Sequence, residues 1–556
     1  MTPPEDLTPA SPETAELRPE DSTSAFVRHT AVMAVGTSLS RLTGFLRLTA
    51  MAFALGITET RLADAYNIAN ITPNIVYELV LGGVLSSVVV PIFVEWLQRR
   101  GRAAMWEAAR RLFTLAVVGL TGIAVLAIVL APWIVRLYTV RVGAEQEATR
   151  ELATFFLRWF MPQIVFYGVG AIAIAQLNAE RRFAAPMFAP IVNNLIVIAT
   201  FATFAAMPGP TPGSHELATN AQELVLAIGT TLGVLGMTLA LWPSLRRTGF
   251  RFAWRPGFHD EAVARIVRLA GWVVVYVVAN QIGYLVVLVL AGEIQGGYTA
   301  YGAAFILFQL PHAIFTVSIV TALLPAMSSR WSDRDIPGFR ALLTRGIRAM
   351  AVMVIPAALG YIAIGRDIVR LLLEHGETGA ASGDLVAGVL ACFAVGLFFF
   401  STFQLFLRAF YSMQDTRTPA LINIAALVVN VAVNLLLVLA LDLGVRGLAL
   451  GHAISYVFSA TVGFLLLRRR LGGIDRRSVW PSLLRTTAAA ALTALAAWFT
   501  ARLIDGWLGT QTIGDQLVQV VAAIAVGLAV FLLGALIFRI EEVDTVKRQL
   551  LSRRRG

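Results

Sequence analysis

The sequence predicts an all-α membrane protein that crosses the bilayer many times, and three observations support this prediction. Hydrophobic residues make up 57% of the 556-residue chain and charged residues only 14%, whereas about a quarter of the residues in a typical soluble domain are charged. Apolar runs of about 20 residues, long enough for a transmembrane helix, recur along the whole chain. The polar stretches between them are too short to build the core of a soluble domain.

The apolar runs indicate about fourteen spans, which we number in chain order. Residues 1–28, rich in Pro, Glu, Thr and Ser, should form a disordered tail without the features of a signal peptide. Residues 540–556 form a basic tail that should lie against anionic lipid headgroups. The predicted spans cover roughly residues 29–56, 64–97, 108–138, 153–178, 184–207, 221–244, 264–292, 297–328, 344–373, 384–412, 418–441, 445–468, 482–503 and 516–539.

A weak internal repeat divides the spans into two lobes. Pro91, at the end of span 2, has a counterpart in Pro325 at the end of span 8, and the turn ending at Pro186 has one ending at Pro419. Both offsets, 234 and 233 residues, correspond to six helices, so the two copies would share one orientation about an axis along the membrane normal. We therefore predict two pseudo-symmetric six-helix lobes followed by two further helices. These regions are residues 29–244, 245–468 and 469–539.

The arginine distribution predicts the orientation of the chain in the membrane. Loops that follow even-numbered spans, with the adjoining helix ends, contain 26 arginines, and those that follow odd-numbered spans contain nine. Positive residues stay on the cytoplasmic side, so we predict that both termini are cytoplasmic. The same distribution explains the net charge of +11 as a membrane feature, and we predict no nucleic-acid partner.

Span 1 carries two arginines at depths where a charge is costly. From a helix start near Ala31, Arg41 lies about 15 Å and Arg47 about 24 Å along the helix axis, within a hydrocarbon core of about 30 Å. Each charge costs at least about 2.5–3.5 kcal/mol at that depth. We therefore expect both side chains to face a water-filled cavity, a counter-ion or an anionic ligand. The alternatives are snorkelling and a structural ion pair.

Span 2 carries two acids, Asp64 at its start and Glu78 near its middle. A carboxylate in a membrane span either takes up a proton or pairs with a cation. We favour pairing of Glu78 with Arg41 or Arg47. The alternative is a neutral Glu78 packed between helices.

Two further motifs have simpler interpretations as loop residues. Asp333-Arg-Asp335 has the D-x-D form with which some glycosyltransferases hold a metal, but no nucleotide-binding domain surrounds it. His375-Gly-Glu377 offers two metal ligands and no evident third. The chain has no P-loop, nucleophile elbow or zinc-protease motif. We therefore predict no metal, no cofactor and no catalysis, and we leave a coupling cation open.

Four stretches together resemble a known transporter family. The chain is similar over nearly its whole length to the lipid II flippase family (MurJ, also called MviN) of the multidrug/oligosaccharidyl-lipid/polysaccharide exporter superfamily. The stretches are SRLTGFLR at 40–47, DAYNIANITPNIVYELVLGGVLSSVVVPIFVEW at 64–96, LNAERRFAAPMFAPIVNN at 177–194 and FYSMQDTRTP at 410–419.

The resemblance implies fourteen helices and a cationic cavity between two lobes. It also implies that the protein moves lipid II, an undecaprenyl-pyrophosphate-linked disaccharide-pentapeptide, from the inner to the outer leaflet by alternating access. Arg41 and Arg47 match the first-helix arginines of the family. Asp64 matches an acid at the outer start of its second helix.

This chain departs from the family pattern at two places. Well-studied members have paired arginines in the second helix, where this chain has Tyr77 and Glu78. They also have an Asp-Arg pair in the eighth helix, where this chain has Phe305 and Ile306. The cavity should therefore be less positive. Either the two arginines of span 1 carry the phosphate contacts largely alone, or substrate binding is rearranged.

We therefore predict a lipid II flippase of the bacterial cytoplasmic membrane, with a substrate site that includes Arg41, Arg47, Asp64 and Glu78. Lipid II and membrane lipids are the predicted partners, with other cell-wall synthesis proteins as further candidates. Three alternatives stay open: an exporter of another polyprenyl-linked oligosaccharide or of a drug, a membrane-embedded glycosyltransferase, and a scaffold for cell-wall enzymes. The arginines and spans 13–14 disfavour a drug exporter, which should have an acidic cavity and about twelve helices.

Overall fold

The computed structural model describes the chain in six segments, and all of their regular elements are helical. The predicted all-α polytopic fold is therefore confirmed. Eleven of the described helices are long and apolar enough to cross a membrane, by length and composition. The six segments are residues 19–78, 89–143, 147–210, 217–255, 281–474 and 476–542. Within these segments, side chains are described from residue 35 onward, except those of 476–478.

Each of the fourteen predicted spans contains a described helix. Spans 4, 8 and 11 are built from more than one helical segment. Span 2 is described in two parts, on either side of residues 79–88, and only the second half of span 7 is described. The helices, in chain order, are Pro19–Leu55; Leu62–Tyr77 and Val90–Arg99; Gly101–Tyr138; Glu147–Phe160 and Gln163–Ala179; Ala184–Ala205; Asn220–Arg246; Gln281–Ala291; Gly297–Pro311, His312–Thr316 and Val317–Ser332; Ile336–Leu373; Ala380–Ser412; Arg417–Leu435 and Leu436–Ala440; Gly444–Arg470; Arg476–Leu508; and Ile513–Ile537.

The first helix begins earlier than predicted. It starts at Pro19, so residues 19–28 continue span 1 as helix and are not a disordered tail. The local sequence fits this start, because proline suits the first position of a helix. Residues 1–18 lie outside the described part of the chain, as does most of the predicted basic tail, from residue 543 onward.

Two prolines mark breaks inside spans. Pro162 separates the two helices of span 4. Pro311 ends the first helix of span 8, and the π-helical segment His312–Thr316 follows it. A proline removes a backbone hydrogen bond and crowds the preceding turn, so a local change of helix geometry is expected at both places.

Among the described residues, one buried apolar cluster joins the two halves of the chain at one end of the bundle, whereas the clusters at the other end each belong to one half. The largest buried cluster contains residues from both halves, such as Ala52 and Tyr66 with Phe308 and Phe393. Toward the other end the core divides. One cluster there contains only residues of spans 2–6 and the following loop, and another contains residues of spans 8–13 with their connecting segments.

Spans 13 and 14 pack against span 9 through small side chains. Ala489 and Ala497 of span 13 lie in clusters with residues of spans 9 and 14. Gly527 and Gly534 of span 14 lie directly against span 13. Because lipid tails are as apolar as leucine, close backbone approach through small residues is an effective way to hold membrane helices together.

Candidate functional site

Three loops close the bundle at the end where the core is continuous. They are residues 56–61 between spans 1 and 2, 292–296 between spans 7 and 8, and 374–379 between spans 9 and 10. All three follow odd-numbered spans, so the arginine distribution predicts that this end faces outward. We call it the outer end and call the contacts among these loops and the adjoining helix ends the outer seal.

One half of the outer seal is an exchange of helix caps between spans 1 and 10. Near the end of span 1, the carbonyl of Ala52 accepts a hydrogen bond from Thr378 Oγ1 at 2.6 Å, and that of Phe53 accepts one from Glu377 N at 2.9 Å. At the start of span 10, Gly379 N donates to Glu59 at 2.7 Å. Each loop thus satisfies backbone groups that the other helix leaves unpaired.

Glu59 has an unusually dense set of donors. Its carboxylate accepts from Ile57 N and from Ser382 Oγ, each at 2.7 Å, in addition to Gly379 N. Burial alone would raise the pKa of Glu59, but the hydrogen bonds from Gly379, Ser382 and Ile57 outweigh it, and the net pKa is lowered. The charged carboxylate therefore stabilises the closed seal.

The other half of the seal joins span 2 to span 8. The carboxylate of Asp64 accepts from Gly296 N and from Thr299 Oγ1, each at 2.8 Å, and Arg61 lies 3.8 Å from it. Arg61 also donates to the carbonyl of Gly292 at 3.0 Å. Asp64 is only 2% exposed, and protein donors occupy it in this conformation. Its assignment to the substrate site therefore stays a prediction.

Glycine is required where these loops meet. Gly296 has a φ of +71° and a Cβ at this position would collide with the backbone of Ile57. A residue other than glycine would be strained by the positive φ as well as by the collision. The close approach of the two loops thus depends on the absence of a side chain.

No such seal is described at the opposite, inner end. The hydrogen bonds and ion pairs that the structure describes between spans 1–6 and spans 7–12 all lie at the outer end. Together with the divided core, these contacts indicate a bundle with two halves, spans 1–6 and spans 7–12, that are held together at the outer end. The lobe boundary at residues 244 and 245 stays a prediction.

The two arginines of span 1 lie on the inner side of the seal. Arg41 is exposed and interacts electrostatically with His312 of span 8. Arg47 is half-buried and interacts electrostatically with tyrosines of spans 2 and 4. Neither guanidinium has a hydrogen bond or ion pair with any described residue. Both arginines are thus near interior groups of the bundle, and no carboxylate in the described part of the chain neutralises either of them.

Glu78 does not form the ion pair that the sequence predicted. Its side chain is exposed at the end of the first helix of span 2, and the structure describes no hydrogen bond or ion pair between it and Arg41 or Arg47. Because the exposed carboxylate is not held against either guanidinium, it gains no ion-pair energy from them in this conformation. Pairing was therefore the wrong interpretation for this conformation. Its role in substrate binding stays a prediction.

The part of spans 8, 10 and 12 nearest Arg41 is aromatic and carries neutral hydrogen-bonding groups. The ring of His312 lies 4.3 Å from that of Phe400 and its Nδ1 lies 3.2 Å from Ser401 Oγ. Phe305, one of the two departures from the family pattern, stacks on Tyr301 with ring centroids 6.4 Å apart. This side of the bundle therefore supplies aromatic faces at Phe305, where the resemblance to the family led us to compare it with an Asp-Arg pair.

The two loop motifs have structural roles. Asp335 caps the helix of span 9 by accepting from Gly338 N at 2.8 Å and pairs with Arg330. His375 Nε2 lies 2.9 Å from the carbonyl of Leu371. The described residues contain no cluster of three or more His, Cys, Asp or Glu that could hold a metal. The glycosyltransferase interpretation thus loses its metal-binding motif.

Sequence reasoning missed Glu59, Ser382 and the tyrosines around Arg47. Glu59 and Ser382 are 323 positions apart, and each is an ordinary polar residue in a short loop or first helical turn. Nothing in their local pattern marks a partner so distant in sequence. The tyrosines carried a weak signal, since Tyr77 stands at a family arginine position.

Comparison with known proteins gives one consistent family. Residues 51–513 match the family model described as lipid II flippase MurJ. A probable lipid II flippase MurJ of Rhizobium meliloti (strain 1021) is 28% identical over 454 residues, covering 80% of this chain and 81% of the relative. The lipid II flippase MurJ of Burkholderia cenocepacia is 27% identical over 440 residues, covering 78% and 82%. A probable lipid II flippase MurJ of Thermotoga maritima is 24% identical over 527 residues, covering 94% and 99%.

Solved structures agree at the level of the fold. A lipid II flippase MurJ in an inward closed conformation superposes with a TM-score of 0.73 at 20% identity, covering 92% of this chain and all of the other. An inward-facing multidrug resistance transporter of the MATE family superposes with a TM-score of 0.61 at 16% identity, covering 79% and 98%. The fold is therefore one that this chain shares with these polytopic membrane transporters. Within that class, the chain belongs to the lipid II flippase MurJ family.

Proposed function

We propose that this protein is a lipid II flippase of the bacterial cytoplasmic membrane, with both termini cytoplasmic. The observation that carries the proposal is a pair of arginines on the inner side of the outer seal, Arg41 and Arg47, that have no carboxylate partner among the described residues. A guanidinium without a carboxylate partner at membrane depth is costly unless water or an anionic ligand compensates it. Family membership supports lipid II as that ligand.

The pyrophosphate is the part of lipid II that these arginines suit. Arginine forms short, charge-assisted hydrogen bonds with phosphate oxygens, often two at once. A headgroup entering from the inner leaflet would meet Arg41 first and Arg47 closer to the seal, given their order along span 1. The polyprenyl tail would remain in the lipid, where burial of its apolar surface keeps it.

The outer seal supplies the conformational part of the mechanism. Because it closes the outer end and no counterpart is described at the inner end, we assign this conformation to an inward-facing stage of alternating access. Transfer to the outer leaflet then requires the seal to break and the inner ends of the lobes to approach each other. The energy source of this cycle is left open.

The test is lipid II flipping by purified protein in proteoliposomes. Arg41→Ala and Arg47→Ala should each lower the flipping rate at least about tenfold, because each removes a charge-assisted contact to the pyrophosphate. Arg469→Ala, at an exposed position at the inner end of span 12, is the matched control and should flip at the wild-type rate. Wild-type flipping by both span 1 variants would refute the proposed site, and absence of flipping by the wild-type protein would refute the function.

A further inference from the structure

We propose that Tyr77 and Tyr167 bind the anionic headgroup of the substrate together with Arg47, as hydroxyl donors to its pyrophosphate oxygens. This inference rests on the proposed function and names the residues of that site in the first half of the chain. Tyr77 closes the first helix of span 2, and Tyr167 lies in the second helix of span 4.

The two tyrosines form a pair. Their ring centroids are 4.7 Å apart with an angle of 57° between the rings. Tyr167 is 6% exposed and Tyr77 is half-buried. Contact between the rings fixes both side chains, so their hydroxyls have defined positions before any ligand arrives.

Neither hydroxyl has a hydrogen-bond partner among the described residues, which distinguishes this pair from the other tyrosines that the structure describes inside the bundle. Tyr66 bonds to Thr230 at 2.9 Å and Tyr138 to Thr72 at 3.0 Å. Tyr284 and Tyr298 bond to each other, Tyr301 and Tyr456 both bond to His452, and Tyr361 donates to the carbonyl of Leu307. A tyrosine hydroxyl in a protein interior usually has a partner. The two exceptions are neighbours.

Both side chains keep part of their surface exposed, since Tyr77 is half-buried and Tyr167 is 6% exposed. Neither oxygen is among the described polar atoms that are fully buried without a partner. We therefore expect a ligand to approach the pair from this exposed side.

The uncompensated charge of Arg47 lies beside this pair. Arg47 interacts electrostatically with both Tyr77 and Tyr167, and it forms no ion pair with a described residue. Glu78, the next residue after Tyr77, also interacts electrostatically with Tyr77, but its side chain is exposed. One guanidinium and two phenols thus lie near one another without a described acceptor, and an anion can accept hydrogen bonds from all three.

Phenols are well suited to this position in a membrane. A phenol hydroxyl donates to a phosphate oxygen and carries no charge, so it avoids the cost of placing a further guanidinium at membrane depth. Hydrogen bonds to charged groups are also stronger than those between neutral groups. The two phenols can therefore add contacts to the pyrophosphate without adding positive charge to that of Arg41 and Arg47.

The experiment measures binding of lipid II and of undecaprenyl pyrophosphate to the full-length protein in nanodiscs, together with lipid II flipping. Tyr77→Phe and Tyr167→Phe should each weaken both affinities about tenfold, because each removes one hydroxyl contact to a charged oxygen. Tyr138→Phe is the matched control, since that hydroxyl is already bonded to Thr72, and it should bind both ligands as the wild type does. Thermal unfolding of each variant verifies that it is folded.

The outcomes separate this inference from the proposed function. If the wild-type protein flips lipid II and both Phe variants bind as tightly as it does, the tyrosine assignment is overturned and the function stands. If Phe variants bind normally while Tyr77→Leu or Tyr167→Leu binds weakly, the rings stack on the sugar and the hydroxyls are not donors, which also overturns it. If the wild-type protein neither binds nor flips lipid II, both proposals fail.

Discussion

At the scale of single residues, Glu59 shows how much of the outer seal depends on one carboxylate. It accepts hydrogen bonds from the loop that contains it and from the start of span 10. A carboxylate near a helix N-terminus also interacts favourably with the helix dipole. Loss of its charge should therefore weaken the closed conformation without disturbing either helix.

We predict that Glu59→Gln shifts the protein toward an open outer end by about 1 kcal/mol, because neutral hydrogen bonds replace charge-assisted ones. Spin labels at Thr60 and Ala381, two exposed positions on opposite sides of the seal, report the distance across it. The labelled protein needs Cys392, the single cysteine, replaced by serine. The population at longer distance should rise severalfold in the variant.

Glu377→Gln is the matched control for this substitution. Glu377 lies in the loop on the other side of the seal but contributes its backbone N–H, so the change in its side chain should leave the distance distribution as it is. An equal effect of both substitutions would mean that general loop charge, and not the Glu59 contacts, holds the seal.

Single residues were predictable from the sequence where their chemistry conflicts with their surroundings. Arg41 and Arg47 stood out because charges in an apolar run need an explanation. Glu59 did not stand out, because a glutamate in a polar loop is ordinary and its partners are more than 300 positions away. The pairing of Glu78 was predicted wrongly, since sequence alone cannot show that its side chain is exposed.

At the scale of elements, the exchange of caps couples two helices that belong to opposite halves of the chain. Span 1 ends with carbonyls that accept from the loop before span 10, and span 10 begins with groups that donate to the loop after span 1. Opening would release all of these groups to water together. The seal should thus open as a unit, because neither set of caps is complete without the other.

The lowered pKa of Glu59 predicts that this unit responds to acid. A carboxyl with a depressed pKa stabilises the closed seal above its ordinary value of 4.5 and loses that contribution as the pH falls through the lowered value. We expect the spin-label distance across the seal to lengthen as the pH falls below 4.5. The part of this change due to Glu59 should be missing in Glu59→Gln, and identical titrations of the two proteins would contradict the assignment.

The helices themselves were largely predictable, since long apolar runs leave few alternatives to a membrane helix. The first and last residues of the helices were harder to predict. Span 1 begins at Pro19 and not near residue 29, because hydropathy does not register the polar first turns of a helix that extends beyond the bilayer. Span 9 contains a non-helical residue at Ile364. No proline stands at this position, so the sequence does not predict the break.

At the scale of the whole molecule, the repeat seen in the sequence agrees with the contacts of the outer seal. Asp64 bonds to Gly296, 232 positions away, close to the offsets of 233 and 234 between the repeated prolines. Equivalent loops of two copies meet each other when they lie beside a two-fold axis. This contact supports the predicted parallel repeat, which sequence reasoning had from four prolines alone.

We predict that a crosslink across the seal stops transport reversibly. Thr58 Oγ1 and Ser382 Oγ are 2.7 Å apart, so cysteines at both positions are close enough to form a disulfide. In the Cys392→Ser background, oxidation of Thr58→Cys/Ser382→Cys should abolish lipid II flipping in proteoliposomes, and a reductant should restore it. The matched controls are the two single-cysteine variants. Oxidation should leave their flipping rates unchanged. Full flipping by the crosslinked protein would exclude alternating access through the outer end.

The position of the seal has a pharmacological consequence. In the predicted orientation its loops are accessible from the extracellular side, and the closed arrangement brings together backbone from two distant parts of the chain. A macrocycle or antibody fragment that recognised this composite epitope would clamp the transporter shut without entering the cell. Such an inhibitor would bypass both membrane permeability and cytoplasmic efflux.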